Sequence, residues 1–449
     1  MIAGEKITSA HYTHKAAFTN FLPKLSALGT YMRTTDEISV LSDNQKAAIS
    51  NIGTVTQQNL TGVLTQFAQK NPAMAQLLQP LSGLIPDIAT ALNATGSKVV
   101  DAFHTDTRNL YTGTLTLTQP IFMGGKIAAY NKITKYAEEL AKTQYKTGTE
   151  DLILSTDQAY WQVISLINKK KLAEKYLELV NRLDSDVQKM ISEGVATKAD
   201  GLTVKVKVNE ADMTLTRVED GLSLSKMVLC QLCGIPLDTD IKLTDEEEET
   251  LPIVEKQVTA DVTTAMANRS ELRSLELATK IYKQKVNVTR ADYLPSVALT
   301  GNYLVTNPSL LNGFENKFRG MWALGVVVKI PIWNWGEGLY KVKAAKAEAN
   351  IAKYQLADVK EKIELQVHQA AFKVNEANKK LEKASKNLEK ADENLRYANL
   401  GFEEGVIPTS NLLEAQTAWV SAQSEKLDAQ IDVKLTDIYL QKSLGTLNY

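Results

Sequence analysis

The sequence predicts an α+β protein built from two interlocked, similar halves. Three observations lead to this prediction: an internal duplication, four segments with strand-like alternation, and two very long helices, one with a clear heptad repeat. Each repeated unit is one supersecondary structure that cannot bury its apolar side alone, so the two halves are expected to fold as one architecture.

Short motifs that recur at a constant distance of 211 residues identify the duplication. The pairs are QPIFMGG at 119–125 with IPIWNWG at 330–336, EGV at 193–195 with EGV at 404–406, and LCG at 232–234 with SLG at 443–445. A further pair, FLP at 21–23 and YLP at 293–295, has an offset of 272 residues. The first half therefore carries 61 additional residues, which fall within 35–108.

Charge and hydropathy exclude some classes of protein. The chain has 51 basic and 52 acidic side chains, so its charge favours no nucleic-acid partner. No run of about 18 apolar residues is present, which excludes a transmembrane helix but not spanning strands of about 10 alternating residues. No signal peptide begins at Met1, and the helix that precedes 293 has only a short counterpart in the first half. We therefore expect a truncated start, with any leader or lipidated cysteine missing.

Four segments alternate with period two, as β-strands do. In the first half, the apolar face of the second strand holds Tyr111, Gly113, Leu115 and Leu117, and its polar face holds Thr112, Thr114, Thr116 and Thr118. The second half repeats the apolar face with Trp322, Leu324, Val326 and Val328. The first strands, 25–31 and 297–303, match each other in the same way. This pattern fits a half-buried soluble sheet and equally a lipid-facing barrel, which four strands alone cannot close.

The strands are followed by proline-free helical stretches of 68 residues, at 126–193 and 337–404. Apolar residues in the second stretch follow alternating steps of four and three from Ile363 to Phe402, which is the coiled-coil period. The first stretch has apolar residues at nine of the twelve equivalent positions, with Thr156, Lys170 and Asp184 as exceptions. Gly194 and Gly405 are predicted C-terminal caps, after which return helices run to 232 and 444. An ordinary coiled-coil rod remains an alternative.

Chemistry-bearing motifs are scarce. Cys230 and Cys233 are interpreted as packing residues of a helix, because their counterparts in the second half carry no thiol. His11 and His14 have a spacing that suits a metal, but no Cys or carboxylate stands at a convincing distance, so we interpret them as surface residues. No nucleophile elbow, phosphate-binding loop or HExxH is found, and we expect no enzyme, cofactor or metal site.

The ordered set of motifs resembles TolC-like outer membrane channel proteins: FLP before a strand, QPIFxGG after a strand, GV before a return helix, and LG closing each half. The resemblance covers nearly the whole chain except 35–108. It implies an α+β membrane protein with a homotrimeric TolC-like fold, in which four strands per chain form a shared twelve-stranded barrel in outer membrane lipid. The barrel would continue into a long coiled-coil α-barrel in the periplasm.

The function implied by this resemblance is passive export through the outer membrane channel of a tripartite efflux or type I secretion system. An inner-membrane pump of RND or ABC type would act through a periplasmic adaptor, also called a membrane fusion protein. The alternative is a soluble or surface coiled-coil structural protein. A metal-specific duct is disfavoured, since Thr112 to Thr118 offer no His or Met ligands.

The predicted segments follow from the duplication. They are a truncated first helix at 1–22, barrel strands at 23–34 and 109–120, an extracellular helical insertion at 35–108, a long helical hairpin at 121–235, an acidic equatorial linker at 236–258, an incoming helix at 259–294, barrel strands at 295–331 and a second helical hairpin at 332–449. Within the insertion, 45–69 and 73–103 are candidate helices. The loops 35–108 and 306–319 are expected on the cell exterior.

Candidate functional residues come from the family pattern. The periplasmic gate would comprise Asp200, Asn411 and Glu414, while Ile407 replaces the basic residue that latches this region. The alternative is that Asp200 and Glu414 only complement helix dipoles. The adaptor-docking tip would comprise Gly194, Val195, Gly405, Val406 and Ile407. The alternative is that the apolar residues of this tip pack against the neighbouring hairpin. Trp322, Trp333 and Trp335 would form membrane-interface belts, although aromatic residues also end soluble strands.

Overall fold

The computed structural model describes residues 1–37, 39–70, 72–246, 258–309 and 315–447. The chain divides into two compact units. The helical unit comprises 1–15, 128–287 and 339–449, and the strand unit comprises 16–127 and 288–338. Much of the predicted acidic linker, at 247–257, and part of the predicted loop 306–319, at 310–314, lie outside the described residues.

The helices and strands of the described residues are labelled in chain order. The helices are α1 (Ile2–Phe18), α2 (Asp43–Ser50), α3 (Ile52–Lys70), α4 (Ala75–Ala102), α5 (Lys126–Ser192), α6 (Lys198–Cys233), α7 (Val262–Asn268), α8 (Ser270–Ala291), α9 (Glu337–Glu403) and α10 (Thr409–Leu444). The strands are β1 (Lys24–Arg33), β2 (Asn109–Met123), β3 (Ser296–Asn307) and β4 (Arg319–Lys329). This mostly helical chain with one four-stranded sheet confirms the predicted fold class.

The sheet of the strand unit has the order β1-β2-β3-β4, and every neighbouring pair is antiparallel. The register places Tyr31 opposite Tyr111 and Trp322 opposite Tyr303. Strand β2 continues past 120, with a register shift between Pro120 and Phe122. Because proline has no N–H to donate to the ladder, a bulge at this point is the expected accommodation.

The 61 additional residues of the first half form helices α2, α3 and α4. The sequence predicts one helix over 45–69, whereas the structure interrupts it at Asn51. Two glycines allow the helices to pack closely: a Cβ on Gly53 would lie 2.0 Å from the carbonyl oxygen of Ala89, and a Cβ on Gly96 would lie 2.0 Å from that of Ile49. Substitution of either glycine would therefore force the helices apart.

The heptad seam of α9 forms a large part of the core of the helical unit. Eight of its residues are buried, namely Ile363, Val367, Ala370, Val374, Ala377, Leu381, Ala384 and Leu388. The remaining four, at 391, 395, 398 and 402, are half-buried. The side chains of this seam pack on α7 and α10, for example Ile363 on Ala265 and Leu381 on Val433.

The equivalent seam of α5 is also buried or half-buried, apart from its first position. Leu152, at the first equivalent position, is exposed, whereas Ile164 and Leu172 are buried outside the equivalent positions. Lys170 occupies a seam position and forms a 2.8 Å ion pair with Glu219 of α6. Val163, Ala173, Val180 and Val187 of the seam remain buried, so the buried surface of α5 is wider than the heptad stripe and is not displaced from it.

Membrane-spanning helices, metal-binding clusters and the two cysteines were also considered in the sequence. Within the described part of the chain, no helix combines the length and the hydropathy needed to cross a membrane, and no group of His, Cys, Asp or Glu side chains forms a metal-binding cluster. Cys230 is buried and Cys233 is exposed, and both are free thiols. Cys230 thus packs as predicted, whereas Cys233 does not.

The expectation that His11 and His14 lack a carboxylate partner is wrong. Helix α5 brings Glu138 to both, with 3.2 Å from His11 Nδ1 to Oε1 and 2.8 Å from His14 Nδ1 to Oε2. Lys142 also donates to Glu138 Oε1 at 2.9 Å. The hydrogen bond from Lys142, followed by that from His14, lowers the pKa of Glu138 to about 2. Such a group stabilises the fold above its unfolded pKa.

Replacing Glu138 with glutamine is expected to lower the free energy of unfolding at pH 7 by about 1 kcal/mol, since the cluster is partly open to water. The wild-type advantage should shrink as the pH falls from about 4.5 toward about 2, where the native carboxylate becomes protonated. Denaturant unfolding of both proteins across this pH range checks the prediction. A difference that stays constant over the whole range would contradict it.

Candidate functional site

The two helical hairpins end in the same turn. Gly194 has φ 75° and Gly405 has φ 68°, in the left-handed region that glycine tolerates best. Val195 N donates to Met190 O at 2.8 Å, and Val406 N donates to Gly401 O at 2.7 Å. These are the bonds of a Schellman motif, which ends a helix sharply. The duplication therefore preserves the turn in geometry as well as in sequence.

The return helices α6 and α10 begin with different caps, and the cap of α6 engages the side chain of Asp200. In the first half, Thr197 N donates to Asp200 Oδ2 at 2.9 Å, and Asp200 N donates to Thr197 Oγ1 at 3.2 Å. This capping box, with the Thr197 hydroxyl as the main cause, lowers the pKa of Asp200. The carboxylate of Asp200 thus caps α6, in agreement with the dipole alternative. Thr197 could have indicated this in the sequence, as T-x-x-D.

In the second half, Pro408 precedes α10 and provides no side-chain cap. Asn411 and Glu414 both lie on the first turns of α10 and are exposed. Glu414 lines a shallow groove between α6 and α10 together with Thr203, Lys207 and Ser421. The structure therefore leaves the Asn411 and Glu414 side chains accessible, unlike the engaged carboxylate of Asp200.

A compact apolar cluster lies beneath the two turns. Its buried members are Leu183, Val187, Val204, Leu412 and Leu413, and half-buried Ile191, Ala196, Leu395, Ala398 and Phe402 pack against it. The cluster joins all four long helices, so the two turns are held side by side on one core. A fixed core of this kind presents the turns as one surface.

The predicted tip residues differ in exposure. Val195 and Val406 are 70% and 77% exposed, so their side chains have no core to contact. Ile407 is half-buried and faces Gly401, where an added Cβ would lie 3.4 Å from Ile407 Cγ2. The accessible apolar surface of the tip consequently consists of Val195 and Val406.

The strand unit repeats a second turn, after β2 and after β4. Gly124 and Gly125 have φ 61° and 83°, while their counterparts Trp335 and Gly336 have φ 53° and 79°. A left-handed conformation is rare for a bulky residue, so Trp335 occupies a strained position. It stacks edge-on against Trp333, with ring centroids 5.6 Å apart. Both indole rings are largely exposed.

The register of the sheet collects apolar side chains on one face. Leu115, Leu117, Leu324, Val326 and Val328 lie there and are exposed. Near the loop ends, the same face carries four aromatic residues, namely Tyr31, Tyr111, Tyr303 and Trp322. The three tyrosines were missed as interface candidates, although the alternation that places them beside Trp322 is visible in the sequence.

The opposite face carries the row of threonines in β2. Thr112 lies between Thr30 and Thr306, and Thr116 lies between Ser26 and Asn302. One row differs, because Leu28, Leu304 and Met321 accompany Thr114. The face is therefore mainly small and polar, as predicted, with one apolar row that the alternation of β2 alone does not reveal.

Comparisons with known proteins agree with this architecture. The family model described as "Outer membrane efflux protein" matches residues 58–234 and 262–446. The chain is 24% identical over 326 residues to the alkaline protease secretion protein AprF of Pseudomonas aeruginosa, covering 72% of this chain and 67% of AprF. It is 20% identical over 396 residues to the outer membrane protein TolC of Escherichia coli, covering 85% and 78%.

The fold is also found among solved structures. The outer membrane protein VceC of Vibrio cholerae superposes with a TM-score of 0.73 at 14% identity, covering 99% of this chain and 92% of VceC. These comparisons support the export channel and give no support to a coiled-coil structural protein. The chain belongs to the outer membrane efflux protein family, and it is a channel protein of the outer membrane.

Proposed function

We propose that three copies of this chain form the outer membrane duct of a tripartite efflux or type I secretion system. The four strands of each copy contribute to one barrel, and the long helices form a second barrel in the periplasm. The apolar sheet face contacts lipid, and the threonine-rich face lines the water-filled interior. Cargo passes through the duct passively, and the duct itself catalyses no reaction.

The observation that carries this proposal is a sheet with two open edges. Among the described residues, β1 and β4 each pair on one side only, over ten and eleven residues. In lipid, unpaired backbone groups cost several kcal/mol each. Pairing β1 of one copy with β4 of the next removes both edges, and a closed ring of copies leaves none.

The family also supports a set of partners. AprF is named for the secretion of a protease, and other relatives are named for efflux pumps. We assign to this chain an inner-membrane pump of RND or ABC type and a periplasmic adaptor. The adaptor docks on the tip formed by Gly194, Val195, Gly405, Val406 and Ile407, where Val195 and Val406 supply the exposed apolar contact.

The gate of the duct is assigned to the start of the return helices. Glu414 and Asn411 supply accessible polar side chains, and Asp200 holds the start of α6 through its capping box. Three copies of Glu414 around a narrow pore would attract cations, because a ring of carboxylates concentrates positive charge.

Glu414→Gln is expected to reduce the preference of the pore for cations over anions, because it removes one charge per copy from the ring. The reversal potential of the purified protein in a planar bilayer under a salt gradient measures this preference. Glu361→Gln, an exposed position on α9, removes the same charge elsewhere and should leave the potential unchanged. An equal shift in both variants would contradict the assignment.

The proposed duct is tested in the same bilayer. Wild-type protein extracted from outer membranes is expected to insert and to give discrete, stepwise increases of ionic current. Intact oligomers that insert without any conducting steps would overturn the channel function.

A further inference from the structure

The insertion contains a helical hairpin, α3 with α4, whose sequence is nearly free of charge. Between 43 and 103 there are three aspartates and three lysines, and α3 carries one charged residue, Lys70 at its end. Exposed helices usually place charged side chains toward solvent. The hairpin therefore lacks the composition of a helix pair that is surrounded by water.

The two helices use one side of each for mutual packing. Gly53 and Ala89 meet closely, and Asn93 Oδ1 accepts from Gly53 N at 2.8 Å while Asn93 Nδ2 donates to Thr54 Oγ1 at 2.8 Å. Ile85 and Ala89 are buried in this contact. The internal interface of the hairpin is thus formed by one side of each helix.

A second set of apolar side chains faces away from this interface. These residues, here called the outer apolar face, are Leu60, Val63, Phe67, Leu81, Leu84 and Ile88, and they are 40–62% exposed. They follow steps of three and four along each helix, which places them on one stripe of α3 and one stripe of α4.

Both stripes lie on the same side of the hairpin. With 3.6 residues per turn, each stripe is rotated by about 90° from the buried side of its helix, in the same sense along the chain. Because α3 and α4 run antiparallel, equal rotation brings the two stripes to one side. The opposite side carries exposed polar residues, including Gln58, Thr65, Thr90 and Ser97. The hairpin is therefore amphipathic as a unit, and its outer apolar face is two helices wide.

The position at which the hairpin joins the sheet indicates which molecule binds the outer apolar face. The ends of the insertion are joined by Thr34 N donating to Arg108 O at 2.8 Å, and by Glu37, which lies 3.1 Å from His104 Nε2. The insertion therefore leaves the sheet from the β1–β2 connection, and β1 is an edge strand. In the proposed trimer, that edge borders the next copy, so a second hairpin is held nearby at high effective concentration.

We propose that the outer apolar face binds the hairpins of the neighbouring copies, so that three insertions form one helical assembly at the mouth of the duct. This inference rests on the proposed trimer. A lipid surface is the weaker occupant, because interfacial helices present many Lys and Arg residues to headgroups, whereas α3 has only Lys70. Burial of leucine and phenylalanine side chains from several copies supplies the driving force.

A photo-crosslinking experiment in intact outer membranes tests this contact. The full chain is made with p-benzoylphenylalanine in place of Leu84, or in place of Val63 as a second position on α3. Ser97, exposed on the opposite side of α4, is the matched control position. After irradiation, crosslinked products are sized on denaturing gels, and the joined peptides are identified by mass spectrometry.

The expected result is a product of about twice the 49.5 kDa protomer mass from positions 84 and 63, joining peptides of 43–103 in two copies. The crosslinker at position 97 should give little of this dimeric product. Suppose that light scattering shows a trimer. If the crosslinks then join the hairpin to lipid or to another protein, or if no crosslinks form, this inference is wrong, while the proposed duct stands. A monomer in light scattering would instead refute the proposed duct, and this inference with it.

Discussion

Val326→Arg is expected to prevent assembly in the outer membrane, at a cost of about 2–4 kcal/mol per copy for a charge near the bilayer midplane. Val326 lies in β4 opposite Leu299, on the apolar face, and is exposed in the chain. The result follows only if that face contacts lipid, since an arginine on a sheet exposed to water costs little. Fractionation of membranes and quantification of the oligomer measure the effect.

Val327 provides a matched control, because it is the next residue of the same strand and points to the opposite face. It lies opposite Ala298 and is 54% exposed, against 62% for Val326. Val327→Arg should assemble nearly as wild type, since its side chain enters the water-filled interior. If both variants assemble, or if Val327→Arg alone fails, the assignment of the two faces is wrong.

The double variant Val195→Asp, Val406→Asp is expected to reduce export strongly while the oligomer remains intact. Both side chains stand on the tip turns, outside the core cluster beneath them, so their replacement removes contacts to a partner rather than contacts within the chain. Each substitution also places an unpaired carboxylate in an apolar contact, which is unfavourable, and a total cost of about 2 kcal/mol weakens binding roughly 30-fold. Export by a host that lacks its own channel, with the pump and adaptor present, is the readout.

Glu404→Gln beside the second turn is the control for this pair, because it alters an exposed charge and leaves the apolar contact unchanged. Its export should match that of wild type. Full export by the double aspartate variant, at an equal amount of assembled protein, would show that the adaptor docks elsewhere.

Features that depend on local sequence were predictable. The seam from Ile363 to Phe402 is buried or half-buried along its length, because a heptad repeat specifies which side of a helix is covered. The turns at Gly194 and Gly405 were equally predictable, since glycine is the residue that tolerates a left-handed C-terminal cap.

Features that depend on distant contacts were not predictable. Glu138 lies 124 residues from His14 in sequence, and only the packing of α1 on α5 brings them together. The ion pair between Lys170 and Glu219 likewise joins residues of two different helices, α5 and α6. Among the gate candidates, alignment of the halves gave equal standing to Asp200 and Asn411, yet Thr197 engages the Asp200 carboxylate and Pro408 provides no such partner for Asn411.

In the proposed duct, copies of this chain close one barrel in the outer membrane. The most direct test is to export the chain behind a cleavable leader in a Gram-negative host, separate the two membranes, extract with detergent and measure molar mass by light scattering. We expect a particle of about three times 49.5 kDa from the outer membrane fraction. A monomer or dimer in the soluble fraction would contradict it.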